Sequence, residues 1–485
     1  MFITLPMFQK QPLLSRKGSR AIIFVLLLLM VLAIVSLGVL RWPGELPPGT
    51  IPSGLRSYLP DEHKCDHTIG LRVSKANGTE NYAAVQPGEV VCILAGTRAS
   101  LELSNFHGTE DAPILFINSD GVVLIDEEDT EYAGIHFINS EHVRLSGLGV
   151  AHECGATYTV AEQSCGFVIH GSQRGIVGSD RTGYIEIDHV EVSPSTHSGI
   201  FIRTSATDEA NRDNWTQYNT YLHHNYVHHA GKEGFYIGGS SYEDGEDPVL
   251  VGVEVSYNLI IETGWDGLQV GSAVADCTVH HNRIARDSQA RESNQRSGIM
   301  NNPGSVCHIY NNFIIESSSR GIYIQGNGGN QVFNNLIIRP GQRVTDEGDG
   351  IVVSEGSNRG QSIFVWNNTI IEPARDGIVF RNEQGDENEI YNNLIVKLPN
   401  LLGATNVAIE TNGLTNVTLA NNLSLDSLDE AKFINPDDDN YSLLPDSPAI
   451  DAGLDLTDMG LTLDYASTTR PQGSAVDIGA FEYTP

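Results

Sequence analysis

Hydrophobic and polar residues alternate over short runs of this chain, and many of these runs begin with glycine. EGFYI at Gly234, DGLQV at Gly267 and DGIVF at Gly377 place apolar residues first and third after the glycine. This period of two predicts short strands with one buried face. The residue between the two apolar positions is predicted to point outward, which gives the stripe Phe201, Tyr236, Gln269, Met300, Tyr323, Val352 and Val379. Two interpretations of this stripe stay open, an exposed platform for sugar rings and a face covered by the long loops.

A second phrase, an asparagine followed by a short, mostly apolar run, recurs from Asn225 to Asn422. Its asparagines are Asn225, Asn258, Asn282, Asn312, Asn335, Asn368, Asn393 and Asn422. Steps of 23 to 33 residues separate them, and a variable period of this size predicts a β-solenoid rather than a helical repeat of fixed length. The asparagines are predicted to form a hydrogen-bonded ladder at a bend between strands.

Two other columns are interpreted as structural. Charged residues or histidine stand four positions after the asparagines and predict an exposed salt-bridge ladder: His229, Glu262, Arg286, Glu316, Arg339, Glu372 and Lys397. The pairs His223 with His224 and His280 with His281 directly precede asparagines. We expect a surface stack of rings there, with a metal site as the alternative.

These repeats resemble the right-handed parallel β-helix proteins of the pectate-lyase-like superfamily, from about Gln86 to the C-terminus. Val85 to Asn118 looks like the first turns of bacterial members, and DSPAIDAG with RPQGSAVDIGAFEY looks like the C-terminal signature of many secreted ones. The resemblance implies an all-β, right-handed parallel β-helix over residues 63–485 with N- and C-terminal caps. It does not fix a reaction, because the superfamily contains polysaccharide lyases, glycoside hydrolases, epimerases and phage tailspikes.

The net charge of the chain limits the classes of molecule that it can bind. The chain has 29 basic and 61 acidic residues and a formal net charge of −32. A nucleic-acid partner is excluded because its backbone demands a basic footprint. The composition suits an extracellular protein that binds a polysaccharide, and we expect a monomer.

The N-terminal segment predicts a location. Residues 21–40 carry no charge and are long enough to span a bilayer as a helix. Basic residues within 1–20 predict that this tail is cytoplasmic and that the body lies outside, in the periplasm or at the cell surface. Residues 41–62, rich in Pro and Gly, read as a linker. An uncleaved anchor is favoured; a cleaved signal peptide, and hence secretion, is the alternative.

The six cysteines fit an oxidising compartment. Cys277 and Cys307 hold the same place in adjacent coils, so their backbones should lie one strand spacing apart, within the reach of a disulfide. Two further pairs are expected, Cys154 with Cys165 and Cys65 with Cys92. Buried free thiols are the alternative, and no Cys-x-x-Cys motif favours a metal.

The residues just before the glycines gather catalytic side-chain types. The positions two and one before successive glycines are occupied by His197, Lys232, Trp265 and Arg296, and by Ser198, Glu233, Asp266 and Ser297. At about 4.8 Å per coil, four coils span about 15 Å, the length of a few sugar units. Expected substrate-binding residues on the same outward side are Arg203, Tyr236, Trp265, Gln269, Tyr323 and Gln325.

Two chemistries and one non-catalytic role remain open. A lyase acting on a uronate polymer would use Lys232 or His197 as base, with Arg296 or Arg203 neutralising charge. Many β-helix lyases use calcium for that neutralisation, and the acidic residues available as ligands are Glu243, Asp244, Glu246 and Asp247.

A glycoside hydrolase would instead use Glu233 and Asp266 as paired carboxylates on adjacent coils. The non-catalytic alternative is a membrane-tethered adhesive solenoid that binds glycan on the same aromatic stripe. Long segments, Ser205 to Thr220 and Gly238 to Leu250, are expected to wall a groove beside these residues.

Overall fold

Each coil of the chain contributes up to three short strands, and equivalent strands of successive coils pair in parallel. The computed structural model describes residues 64–126, 132–150, 166–325, 328–354, 361–396 and 407–485. In chain order the strands are β1 (His67–Ile69), β2 (Lys75–Asn77), β3 (Val90–Arg98), β4 (Leu101–Ser104), β5 (Ile114–Asp126), β6 (Ala133–Ile138), β7 (Glu141–Val150), β8 (Phe167–His170), β9 (Arg174–Ser179), β10 (Gly183–Asp188), β11 (Val190–Val192), β12 (Ile200–Ile202), β13 (Thr216–His223), β14 (Tyr226–His228), β15 (Phe235–Ile237), β16 (Val249–Ser256), β17 (Leu259–Ile261), β18 (Leu268–Val270), β19 (Ala273–His280), β20 (Arg283–Ala285), β21 (Ser297–Asn301), β22 (Cys307–Tyr310), β23 (Phe313–Ile315), β24 (Arg320–Ile324), β25 (Gln331–Phe333), β26 (Leu336–Ile338), β27 (Ile351–Val353), β28 (Phe364–Trp366), β29 (Thr369–Ile371), β30 (Ile378–Phe380), β31 (Asn388–Tyr391), β32 (Leu394–Val396), β33 (Ile409–Glu410), β34 (Val417–Ala420), β35 (Leu423–Leu425), β36 (Phe433–Asn435) and β37 (Asn440–Leu443).

The strands form three ladders that run the length of the stack. The first ladder is β1, β3, β5, β7, β10, β13, β16, β19, β22, β25, β28, β31 and β34. The second ladder begins at the C-terminal ends of β3 and β5 and continues through β8, β11, β14, β17, β20, β23, β26, β29, β32 and β35. The third ladder is β2, β4, β6, β9, β12, β15, β18, β21, β24, β27, β30 and β33. This architecture confirms the predicted right-handed parallel β-helix, the hand that parallel crossovers take in nearly all proteins.

The core consists of stacked aliphatic columns. On the third ladder the first residue after each glycine pairs with its copies in register, and this column is Ile200, Phe235, Leu268, Ile299, Ile322, Ile351 and Ile378. All seven are at most 1% exposed. The period-two pattern therefore identified the buried face correctly.

An unbroken asparagine ladder links the coils between the first and second ladders. The backbone N–H and side-chain Nδ2 of Asn282 donate to Oδ1 of Asn312 at 3.1 and 3.0 Å, and this arrangement repeats from Asn225 to Asn422. Asn312 Nδ2 also donates to Val279 O at 2.9 Å. The ladder was predicted, with one correction: the left-handed backbone conformation falls on the residue before each ladder asparagine, such as His281 at φ 54°.

The bend after the second ladder carries the predicted charge ladder. Glu262 accepts from His229 at 2.8 Å and from Arg286 at 2.9 Å, and Arg339 pairs with Glu316 at 3.1 Å. Lys397 lies outside the described residues. These partly exposed pairs contribute little stability individually.

Glycine before the third ladder is required by close packing. A Cβ at Gly267 would lie 2.6 Å from both the carbonyl oxygen of Gly298 and Cγ2 of Ile284. Any side chain would therefore push apart two neighbouring coils.

Two predicted disulfides are confirmed. Cys277 and Cys307 pair across β19 and β22 with a Cα–Cα distance of 4.5 Å, and Cys65 joins Cys92 with 5.4 Å. Cys154 and Cys165 lie outside the described residues.

The C-terminal segment, expected to cap the last coil, packs along the side of the helix. A short helix α1 (Leu428–Ala431) and the antiparallel pair β36 and β37 begin this segment. Its Phe433, Tyr441 and Phe481 pack with residues of the second ladder such as Phe313 and Leu336. Helical turns of the 3₁₀ type span Tyr242–Asp244, Thr345–Glu347, Pro436–Asp438 and Thr457–Met459.

The predicted anchor cannot be compared with the structure. Residues 1–63, including the proposed span 21–40 and linker 41–62, are outside the described residues. Within the described part, no helix is long and apolar enough to cross a membrane.

We predict that Asn312→Ala lowers the free energy of unfolding by about 3 kcal/mol, because Asn282 and Val279 lose buried hydrogen-bond partners. Urea denaturation followed by circular dichroism measures the change. Asn435→Ala is the control, since its exposed side chain bonds only Asp438 at the surface. Equal, small effects of both substitutions would contradict a structural role for the ladder.

Candidate functional site

The outer side of the third ladder carries the predicted stripe in the predicted register. Phe201 pairs with Tyr236 and Tyr236 with Gln269, and their column continues through Met300 and Tyr323. The Phe201 and Tyr236 rings stack with centroids 5.0 Å apart. Both rings and Tyr323 are partly exposed.

The middle and C-terminal parts of the stripe are covered, as the alternative of a covered face predicts, whereas Phe201, Tyr236 and Tyr323 stay partly exposed. Gln269 and Met300 are each 1% exposed, and Val352 and Val379 are at most 4% exposed. The loop that contains Tyr242 begins in the coil of Tyr236 and reaches Gly304, two coils further. The accessible aromatic surface is therefore divided in two.

Cationic side chains lie over the aromatic rings of this side. The pairs are Arg174 over Tyr132 and Phe201 (4.8 Å each), Arg203 over Tyr236 (6.0 Å), Lys232 over Trp265 (4.5 Å) and Arg320 over Tyr323 (4.6 Å). We call this set the cationic face. Such contacts hold a cation close to an apolar ring. Arg203 pairs with Asp247 at 3.3 Å and Arg320 with Glu347 at 3.1 Å, so the positive charge without a carboxylate partner among the described ion pairs lies at Arg174 and Lys232.

Arg174 and Arg320 were missed by the sequence reasoning. Each directly precedes a third-ladder glycine, Gly175 or Gly321, and thus occupies the column of Glu233 and Asp266. Extending that column by one coil in each direction would have found both.

His197, Lys232 and Trp265 stand on successive coils, as predicted. The backbone N–H of Lys232 donates to His197 O, and that of Trp265 donates to Lys232 O, both at 3.1 Å. Burial lowers the pKa of His197, and the neighbouring Lys232 and Arg174 lower it further. The partly exposed imidazole is therefore neutral at neutral pH and able to accept a proton.

Arg296 is engaged by its own loop. Its Nε donates to the carbonyl oxygens of Arg291 and Glu292 at 3.0 and 3.1 Å, and its Nη1 lies 3.3 Å from Glu347. After Trp265 the next backbone partner is Ser288, not Arg296. The loop that leads from Ser288 to Arg296 therefore separates Arg296 from the column of Lys232.

The structure corrects the expected outward pair of carboxylates, because Glu233 and Asp266 are only 2% and 0% exposed. Ser198 Oγ donates to Glu233 at 2.8 Å, and Ser297 N donates to Asp266 Oδ1 at 2.7 Å. Burial raises the pKa of Glu233, and burial raises that of Asp266 well above its usual range, with Glu233 and Asp287 adding to the shift. Neither carboxyl reaches solvent to flank a glycosidic bond.

The predicted calcium ligands are not brought together. Asp247 is 4% exposed and pairs with Arg203 at 3.3 Å, while Glu243, Asp244 and Glu246 are exposed on the loop before it. Among the described residues, their carboxylates do not form a group of ligand atoms within 4.8 Å of one another. Calcium dependence remains a prediction.

Two further features of the predicted site lie within the cationic face or next to it. Arg203 Nη1 donates to the Tyr236 hydroxyl at 3.4 Å, and Gln325 is partly exposed at the end of β24. The long segments expected to wall a groove contact each other where the backbone N–H of Arg212 donates to Glu246 O at 3.0 Å.

The ladders define the chain as a right-handed parallel β-helix protein, and its cationic face is the candidate anion-binding site. Residues 212–361 match the family described as "Periplasmic copper-binding protein (NosD)". That match covers less than half of the chain. No curated protein matches the sequence.

Several solved enzyme structures show partial similarity to this chain. Pectate lyase Pel9A is 15% identical with a TM-score of 0.46, covering 87% of this chain and 97% of its own. The PL6 family alginate lyase AlyGC is 15% identical with a TM-score of 0.45, covering 73% and 51%. The GH136 lacto-N-biosidase from Eubacterium ramulus is 12% identical with a TM-score of 0.48, covering 75% and 68%. At these identities and scores the likeness assigns no activity to this chain.

We predict that Asp266→Asn stabilises the protein at pH 7. The wild-type carboxyl has a raised pKa in the folded state, so its contribution is fully present below about pH 4. That contribution is lost as the pH rises toward the folded-state pKa. The variant should decline less in urea midpoint between pH 4 and 7, whereas exposed Asp244→Asn should follow wild type. A loss of stability in Asp266→Asn at pH 7 would show that the carboxylate is ionised and paired.

Proposed function

We propose that this protein is an extracytoplasmic carbohydrate-active enzyme that binds a uronate-containing polysaccharide on the cationic face and cleaves it by β-elimination. The proposal rests on one observation: cationic side chains lie over Phe201, Tyr236, Trp265 and Tyr323, all on one side of a chain whose net charge is −32.

Electrostatics favours this face over the rest of the surface. A strongly acidic protein repels a polyanion, so binding requires a local cluster of basic side chains. Lys232 has no carboxylate partner among the described ion pairs, in contrast to Arg203, which is paired with Asp247. Flat rings beside these cations suit the apolar faces of sugars, and the cations suit their carboxylates.

The reaction assigns roles to groups at the N-terminal part of the face. Lys232 and Arg174 neutralise the uronate carboxylate, which acidifies the neighbouring C–H. His197, neutral because of its lowered pKa, removes that proton, and the electron pair forms the new double bond as the glycosidic oxygen leaves. In this proposal the leaving oxygen is protonated by the Tyr236 hydroxyl, which lies 3.4 Å from Arg203 Nη1.

Two other functions would use the cationic face or the carboxyl groups next to it. A glycoside hydrolase built on Glu233 and Asp266 is less supported because both carboxyls are buried. An adhesive solenoid needs only the cations and rings. Both are distinguishable outcomes of the experiment below.

The proposal includes a location outside the cytoplasm. Disulfides such as Cys277 with Cys307 are typical of proteins outside the cytoplasm. Residues 21–40 would anchor the chain in the membrane, leaving the β-helix as a monomer on the outer side.

The test is incubation of the full-length protein with polyuronates and neutral glycans, following both the absorbance of unsaturated uronate and the release of reducing ends. Wild type should raise both with a polyuronate alone. His197→Ala should lower the rate at least about 100-fold while retaining binding, since it removes the base. Lys232→Ala should weaken binding and rate together.

Matched controls are His308→Ala, a partly exposed histidine of the first ladder, and Lys75→Ala, whose ammonium pairs with Glu102 at 2.8 Å. Neither should change the rate. Reducing ends without absorbance would indicate hydrolysis, and binding without products would indicate an adhesive protein. A chelator added to wild type tests calcium dependence.

A further inference from the structure

The outer side of the first ladder repeats one arrangement of a glutamate and two histidines. In the first copy, His223 Nε2 lies 2.8 Å from Glu186 and its Nδ1 lies 2.9 Å from His224 Nδ1. In the second copy, His280 makes the same contacts with Glu254 at 3.0 Å and His281 at 2.7 Å. The two copies therefore form a natural comparison within one chain.

The copies differ at the residue two positions after the glutamate. Asp188 occupies this position in the first copy and Ser256 in the second. Both pair with a histidine of the next coil, Asp188 with His223 and Ser256 with His280. In the first copy alone among the described residues, three side chains of this kind, Glu186, Asp188 and His223, bring ligand atoms within 4.8 Å of one another.

The first copy contains an unused buried ligand atom. Glu186 is 0% exposed, and its Oε2 has no hydrogen-bond partner among the described residues. Its Oε1 lies 3.3 Å from Arg144 Nε, which also donates to Asp188 at 2.7 Å. A buried carboxylate oxygen without a donor is costly, and a bound cation would relieve that cost.

The surrounding groups hold the other two side chains in place. Ser146 Oγ donates to Asp188 Oδ1 at 2.7 Å, and His189 Nδ1 lies 2.6 Å from the same oxygen. Partners of this type orient carboxylate and imidazole ligands in metal sites. The contact between Nδ1 of His223 and Nδ1 of His224 requires a single hydrogen between the rings. When that hydrogen is on His223, its Nε2 is free to coordinate an ion.

Charge is also compatible with an ion. Glu186 and Asp188 contribute two negative charges against the single guanidinium of Arg144. The carboxyl groups therefore outnumber the one guanidinium beside them, which suits a divalent cation.

We propose that Glu186, Asp188 and His223 bind a divalent transition-metal ion, for which Zn²⁺ is the probe. One imidazole and two carboxylates suit such ions, whereas Ca²⁺ and Mg²⁺ prefer oxygen ligands throughout. The ligands come from β10 and β13, so the ion joins two successive coils. This site lies on the first ladder and is independent of the cationic face on the third.

The test is calorimetric titration of the metal-free full-length protein with Zn²⁺. Wild type should bind one ion at this site, and Asp188→Ser should weaken that binding about 100-fold. This substitution reproduces the natural arrangement at Ser256, so the fold has a precedent for it in the same chain. Glu186→Gln, which keeps the side-chain shape, should weaken binding to a similar degree.

His280→Gln is the matched control in the second copy and should leave the affinity unchanged. Zn²⁺ binding that is equally tight in wild type and Asp188→Ser would overturn the proposal. So would an equal loss in Asp188→Ser and His280→Gln, because the ion would then not distinguish the two copies. The circular dichroism spectrum of each variant separates a lost ligand from a lost fold.

Discussion

The stacking of each coil on the next, in strict register, is the constraint on which the other features depend. The asparagine ladder holds this register at one bend, since each side chain accepts from the previous coil and donates to the next. The glycine before the third ladder permits the close approach at the other side. A residue's place in its coil therefore determines which residues it touches, and a side chain of given chemistry recurs as a column rather than as an isolated group.

Because side chains recur in columns, residues that are distant in the sequence come together in both candidate sites. On the third ladder, Lys232 and Trp265 become adjacent across two coils, whereas Arg320 and Tyr323 come together within the single strand β24. On the first ladder, the column of Asp188 and His223 continues through Ser256 and His280. Equivalent backbone positions with different side chains therefore form a cluster of possible metal ligands around Asp188 and His223, but only a set of hydrogen bonds around Ser256 and His280.

Much of the fold was predictable because it depends on local periodicity. The buried positions around Gly267, the asparagine ladder and the Cys277 to Cys307 bridge all follow from aligning repeats. The candidate site was only partly predictable. The contacts and exposure of its side chains depend on loops between the strands, and the repeat pattern does not predict where these loops run. The engagement of Arg296 by the carbonyl oxygens of its own loop is an example. The burial of Asp266 has another origin, because Ser198, Glu233 and Ser297 in the same column are buried as well. The C-terminal segment is another example, since its place along the second ladder is set by packing of Phe433 and Phe481 rather than by a repeat.

The most direct test of charge recognition by the third ladder is a crystal structure of the protein bound to a uronate oligosaccharide. The oligosaccharide should lie along the cationic face, with a carboxylate against Lys232 or Arg174 and a sugar ring against Phe201 or Tyr236. An oligosaccharide bound elsewhere, or bound on this face with its carboxylates turned toward solvent, would contradict that claim.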